Sequence, residues 1–131
     1  MIVVDTSVMA YLFLRSDFSA QAEAWLRDDR EWAVPKLWRS EFRNLLAGYL
    51  RRKQLSFEAM REIQREAEAL VIGNEHEVDS LRVFELVRDS DCSAYDCEFI
   101  SVALRLGVKL LTADKKVLKA FPAHTVAFSS A

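Results

Sequence analysis

Three glycines and two prolines in 131 residues leave little room for long irregular loops, so regular elements should dominate. Two cysteines, Cys92 and Cys97, are too few for a disulfide framework and too few alone for a zinc site. They read as small packing residues in a reducing, cytoplasmic setting. No apolar run reaches the roughly 18 residues of a membrane-spanning helix, and no basic stretch precedes the first apolar run as in a secretory leader. Charge of one sign is not in excess either: 18 Lys and Arg stand against 20 Asp and Glu, a net charge of −2. A strongly basic chain would point to nucleic acid by charge alone. Here any phosphate contact must come from a local patch. The densest is Arg39, Arg43, Arg51, Arg52 and Lys53, a set that also suits a solvated helix face with snorkelling side chains.

What remains is ordinary for a globular chain: 51% hydrophobic and 29% charged residues, at a length that suits one domain spanning 1–131. There is no internal repeat, linker or low-complexity segment. Residues 2–4 read as a short buried strand, and Thr6 as the N-cap of a helix carrying Val8, Met9, Leu12 and Phe13 inward. Ser19 is expected to cap a second helix. Trp32–Val34 reads as a second strand ended by Pro35, and a long helix follows from about Leu37 to Arg52. Ser56 opens another helix, and Leu70–Ile72 reads as a third strand broken by Gly73 and Asn74. Val78, Leu81, Phe84 and Val87 mark a further helix. Ser93 opens the next, which stops at Gly107. Val108–Leu111 is the fourth strand, Lys115–Ala120 a short helix, and Thr125–Phe128 the last strand. Strands alternating with helices imply an α/β domain with a mainly parallel sheet.

The distribution of carboxylates is the informative feature. Ligands of such sheets bind outside the carboxyl ends of the strands. Asp5 ends the first strand in "MIVVDTSV", and Asp114 follows the fourth in "KLLTADKK". Glu41 lies about one turn into the long helix, and Asp96 lies in the first turn of the Ser93 helix. If both helices begin at the carboxyl edge, four carboxylates converge. Unneutralised, they repel and raise one another's pKa. Divalent cations make sense of such a set, because Mg²⁺ and Mn²⁺ favour hard oxygen ligands and act on phosphodiesters. Each acid alone also has a local account. Asp96 fits a capping box with Ser93, Asp114 a helix cap, Asp5 a turn acceptor and Glu41 a surface position.

"MIVVDTSVMAYL", "VPKLWRSEFRNLL", "SAYDCEFISVALRLGVKLLTAD" and the "TVAF" ending together resemble a PIN domain of the small VapC-like ribonuclease toxins. The resemblance covers essentially the whole chain. It implies a three-layer α/β/α sandwich with about five short, mainly parallel strands. It also implies a Mg²⁺- or Mn²⁺-dependent ribonuclease with Asp5, Glu41, Asp96 and Asp114 as catalytic and metal-binding acids. Thr6, Ser93 and Thr112 match supporting hydroxyls, and Arg39 and Arg43 are candidate phosphate contacts. Many relatives carry Asp or Asn three residues after the fourth acid, where this chain has Val117. Implied partners are an RNA substrate, a cognate antitoxin and a second copy of the chain, with Trp38 and Tyr49 among the aromatics available to a homodimer. The resemblance leaves two alternatives open, a PIN-fold nuclease without a toxin role and an inactive binding module. An aspartyl-phosphate enzyme of the haloacid dehalogenase type is disfavoured, because Ser7 stands where its second Asp is needed.

Overall fold

The structure is a computed structural model that describes residues 1–128. In chain order it contains β1 (Ile2–Val4), α1 (Thr6–Phe13), α2 (Ser19–Asp28), β2 (Trp32–Pro35), α3 (Trp38–Arg51), α4 (Phe57–Leu70), β3 (Glu75–His76), α5 (Ser80–Arg88), α6 (Ala94–Leu106), β4 (Leu110–Thr112), α7 (Lys115–Ala120), a 3₁₀ turn (Pro122–His124) and β5 (Thr125–Ala127). Among the described residues, no helix is long and apolar enough to cross a membrane.

All strand pairs are parallel, in the order β3-β2-β1-β4-β5. The chain steps outward from β1 through β2 to β3, then crosses back to β4 and on to β5. Right-handed crossovers place α1–α4 on one face and α5–α7 on the other. The packing agrees: α1 meets α2, α3 and α4, while α5 packs on α6, which lies across β1, β2 and β4. The sheet is therefore covered on both sides, and its central strands are apolar rather than alternating. Val3, Val4, Trp32, Ala33, Val34 and Leu111 are wholly buried.

Three local expectations change. The third strand lies at Glu75–His76, paired with Val34 and Pro35, not at Leu70–Ile72. Leu70 closes α4, whose apolar face packs inward, and Ile72 is largely exposed in the turn before Gly73. The cap of α1 is Asp5 rather than Thr6, its side chain accepting the Val8 N–H at 3.0 Å. Ser19 begins α2 without capping it. Its hydroxyl instead donates to the Leu14 carbonyl at 3.2 Å and accepts the Ser16 N–H at 3.0 Å. Trp38 is also wholly buried, which removes it from any surface.

Gly107 ends α6 in the left-handed region, φ +69°. An added Cβ would meet no atom within 4 Å, so only backbone strain opposes a side chain there. Gly107→Ala is expected to lower unfolding free energy by about 1 kcal/mol, measured by denaturant titration.

Candidate active site

The order of the strands reverses between β1 and β4, and in open parallel sheets a crevice forms at that point beyond the carboxyl ends. The register fills it. Val3 pairs with Leu110 and Val4 with Leu111, so the next residues, Asp5 and Thr112, emerge side by side. The Asp5 N–H donates to the Leu111 carbonyl at 3.2 Å. The Thr112 hydroxyl donates to Asp5 Oδ2 and accepts the Asp114 N–H at 3.1 Å. One hydroxyl thus fixes two acids.

Asp114 Oδ1 accepts the N–H groups of Lys116 and Val117 at 2.9 and 3.2 Å, capping α7. Helices that connect parallel strands run back across the sheet, so α3 and α6 both start at the carboxyl edge. Glu41, in the first turn of α3, accepts a 2.6 Å hydrogen bond from the Thr6 hydroxyl of α1. The Ser93 hydroxyl accepts the Asp96 N–H at 3.0 Å, half of a capping box. Asp96's own carboxylate has no hydrogen-bond or ion-pair partner among the described residues. All four acids line one open cleft of about 510 Å³, together with Thr6, Ser7, Tyr11, Asn44, Thr112 and Val117.

Burial pushes the Asp5 carboxyl up to about 6. The hydrogen bonds from Thr112 and Val8 pull the other way, and the charges of Asp114 and Glu41 add to the rise. Glu98 on α6 is raised as well, by burial and then by Glu41. At Asp5 the cleft thus holds negative charge at a cost, a mark of functional sites.

No three His, Cys, Asp or Glu side chains among the described residues form a ready-made metal cage. That is no obstacle for a hard cation such as Mg²⁺, which keeps several waters and takes one or two carboxylates, leaving room for substrate phosphate. The donor set is all oxygen, and Asp5, Asp96, Asp114 and Glu41 are the residues that fit it.

The profile of the family described as PIN domain matches residues 2–122. The chain belongs to the PIN-domain family. A curated relative, Ribonuclease VapC3 of Pyrobaculum aerophilum, is 29% identical over 126 residues, covering 93% of this chain and 95% of that one. The crystal structure of FitAcB from Neisseria gonorrhoeae superposes with a TM-score of 0.75 at 16% identity, over 98% of this chain and 97% of that one. A toxin-antitoxin complex from Klebsiella pneumoniae gives 0.74 at 17% identity over the full length of both. These two superpositions establish a shared fold.

Within this PIN domain, Arg39 and Arg43 are not brought to the cleft. Both lie two residues from Glu41, and positions two apart on a helix do not share a face. Arg39 instead donates through Nε and Nη2 to the Glu75 carboxylate at 2.7 Å each, and through Nη1 to Glu68 at 3.0 Å. Arg43 donates to the Arg39 carbonyl at 3.2 Å and lines a separate groove with Phe57 and Met60 of α4. Tyr11 and Asn44 lie inside the motif segments yet are not among the residues that the resemblance marks. Helical spacing holds a usable signal for Asn44, which follows Glu41 by three residues and so shares its face. Val117 is buried and contributes an apolar patch to the cleft wall.

Proposed function

We propose that this PIN domain is a metal-dependent endoribonuclease that hydrolyses RNA phosphodiester bonds in the cytoplasm, acting as the toxin of a toxin–antitoxin pair and so blocking translation. The observation that carries this reading is the convergence of Asp5, Glu41, Asp96 and Asp114 on one open cleft. The relative named Ribonuclease VapC3 supports the chemistry, and the neighbour solved as a toxin-antitoxin complex supports the partner.

Asp5, Asp96 and Asp114 are assigned to hold Mg²⁺ or Mn²⁺. The bound ion would neutralise charge on the scissile phosphate and make a coordinated water more acidic. Glu41, steadied by Thr6, either adds an oxygen ligand or accepts the proton of the attacking water. Thr112 keeps Asp5 and Asp114 in register, and Ser93 fixes the turn that carries Asp96. A cognate antitoxin would silence the site by placing a basic side chain among these acids. A homodimer completes the expected assembly.

Substrate phosphates need cations other than Arg39 and Arg43. Lys115 and Lys116 directly follow Asp114, Lys119 lies one turn further on, and all three are exposed and share one side of α7. Replacing all three by Gln should weaken single-stranded RNA binding and flatten its salt dependence by roughly 0.7 in log–log slope for each phosphate left unneutralised. A salt titration of RNA affinity checks this, and an unchanged slope would remove the lysines from the interface.

The activity itself is tested on total cellular RNA with Mg²⁺ or Mn²⁺, with chelator, and beside Asp96→Asn protein. Discrete fragments should form only with metal and the unaltered chain. Fragments that persist in chelator and in the variant would overturn the assignment.

A further inference from the structure

Phe18 presents about half of its surface to solvent, at 47% relative exposure. Single exposed apolar residues are common and need no explanation, and Phe57, Leu81 and Phe84 on α4 and α5 are others here. Phe18 differs in its connections. Its ring lies 4.9 Å, centroid to centroid, from Tyr11, and Tyr11 lines the acidic cleft. Tyr11 is also stacked with Phe128, at 5.2 Å and 28° between planes. The three rings form one contiguous cluster in which Tyr11, the middle ring, lines the cleft and Phe18, tilted 46° to it, is the ring most open to solvent.

The backbone that carries Phe18 is fixed. The Phe18 N–H donates to the Ser16 hydroxyl at 3.1 Å, and the Phe18 carbonyl accepts the Ala22 N–H of α2 at 3.1 Å. Ser19 ties the same turn back to Leu14 and Ser16. An exposed ring on so constrained a turn is pre-organised for a planar ligand, and little ordering entropy remains to be lost on binding.

We infer that the Tyr11–Phe18 shelf stacks a nucleobase of single-stranded RNA beside the phosphodiester held at the acidic cleft. The inference rests on the nuclease reading and deepens it, because it names the side chains that would hold a base of the substrate. Bases in a duplex are stacked on one another and offer no free face, whereas unpaired bases stack readily on protein aromatics. Stacking of this kind accepts any base, so the shelf selects unpaired RNA without reading its sequence.

The test compares affinities of the full chain, with Mg²⁺, for a labelled single-stranded RNA of about ten nucleotides and for a ribose–phosphate strand of equal length without bases. Phe18→Ala should weaken binding of the RNA by roughly 5- to 150-fold and leave the baseless strand unchanged. Phe18→Trp should restore the affinity, which a damaged fold would not do. An equal loss on both strands, or no loss on the RNA, overturns the shelf. If metal-dependent cleavage persists while Phe18→Ala binds RNA normally, the shelf fails and the nuclease reading stands. If the unaltered chain neither binds nor cuts RNA, both fail.

Discussion

Asp5→Asn is expected to stabilise the metal-free protein at pH 7.5 while cutting metal-dependent RNA cleavage by more than about a hundredfold. The two effects share one cause. The fold holds the Asp5 carboxyl at about 6, against an ordinary value of 3.8, so the native state binds this proton more tightly than the unfolded chain. Stability from this group is greatest below about pH 4, falls as pH rises from about 4 to about 6, and is flat above. The gap is about two units at ~1.4 kcal/mol each, which sets an upper limit of about 3 kcal/mol at neutral pH. Asn is as good a helix cap as Asp, and its amide can donate to the Thr112 oxygen, so both hydrogen bonds have a counterpart in the variant. It carries no charge, and removing a charge-stabilising group from a reacting centre typically costs about 10²–10³ in rate. Thermal melts of both proteins in chelator from pH 4 to 8 check the first half. The variant should gain over the unaltered chain as pH rises, and parallel curves would show that Asp5 is an ordinary solvated carboxylate.

Arg39→Ala should lower unfolding free energy by about 1–3 kcal/mol and leave the cleavage rate of the folded protein unchanged. The guanidinium ties α3 to edge strand β3 through both oxygens of Glu75, and reaches Glu68 of α4 as well. Its hydrogen bonds hold the Glu75 carboxyl below the usual range, with help from the Trp38 ring N–H at 2.8 Å. Glu75 is only 14% exposed while Arg39 is 39% exposed, so water screens part of the pair and the loss stays near the scale of one charged hydrogen bond. A double-mutant cycle with Glu75→Gln isolates the coupling. A fall in RNA cleavage without a fall in stability would return Arg39 to the substrate path.

The difference between Arg39 and Asp5 shows what is legible in the sequence alone. Asp5 follows three apolar residues of a doubly covered strand, and a carboxylate there has no packing reason to exist. Its neighbours in space follow from strand order and from where connecting helices begin. Arg39 sits beside Glu41 in the sequence but faces the opposite way, and the acid that binds it lies 36 residues on. The third strand is hidden for a related reason. Leu70, Val71 and Ile72 have the composition of a strand, yet Leu70 belongs to the apolar stripe of α4. The true edge strand is Glu75–His76, polar residues whose extended form is imposed by Val34 and Pro35. The N-caps of α1 and α2 are ambiguous because a hydroxyl next to an acid, or after an aromatic, offers two equivalent readings.

The hydrogen bond between Thr112 and Asp5 spans 107 positions of the chain. A ribosome emits Asp5 first and Thr112 only after more than four-fifths of the sequence. Until then β1 lacks its β4 neighbour, and the crevice that gathers the acids has one wall. A nascent chain therefore carries no complete cleft while it is being translated, and closure of the central strand pair waits for a slow, long-range contact. The four acids can therefore be gathered into one site only when the last strands have been made.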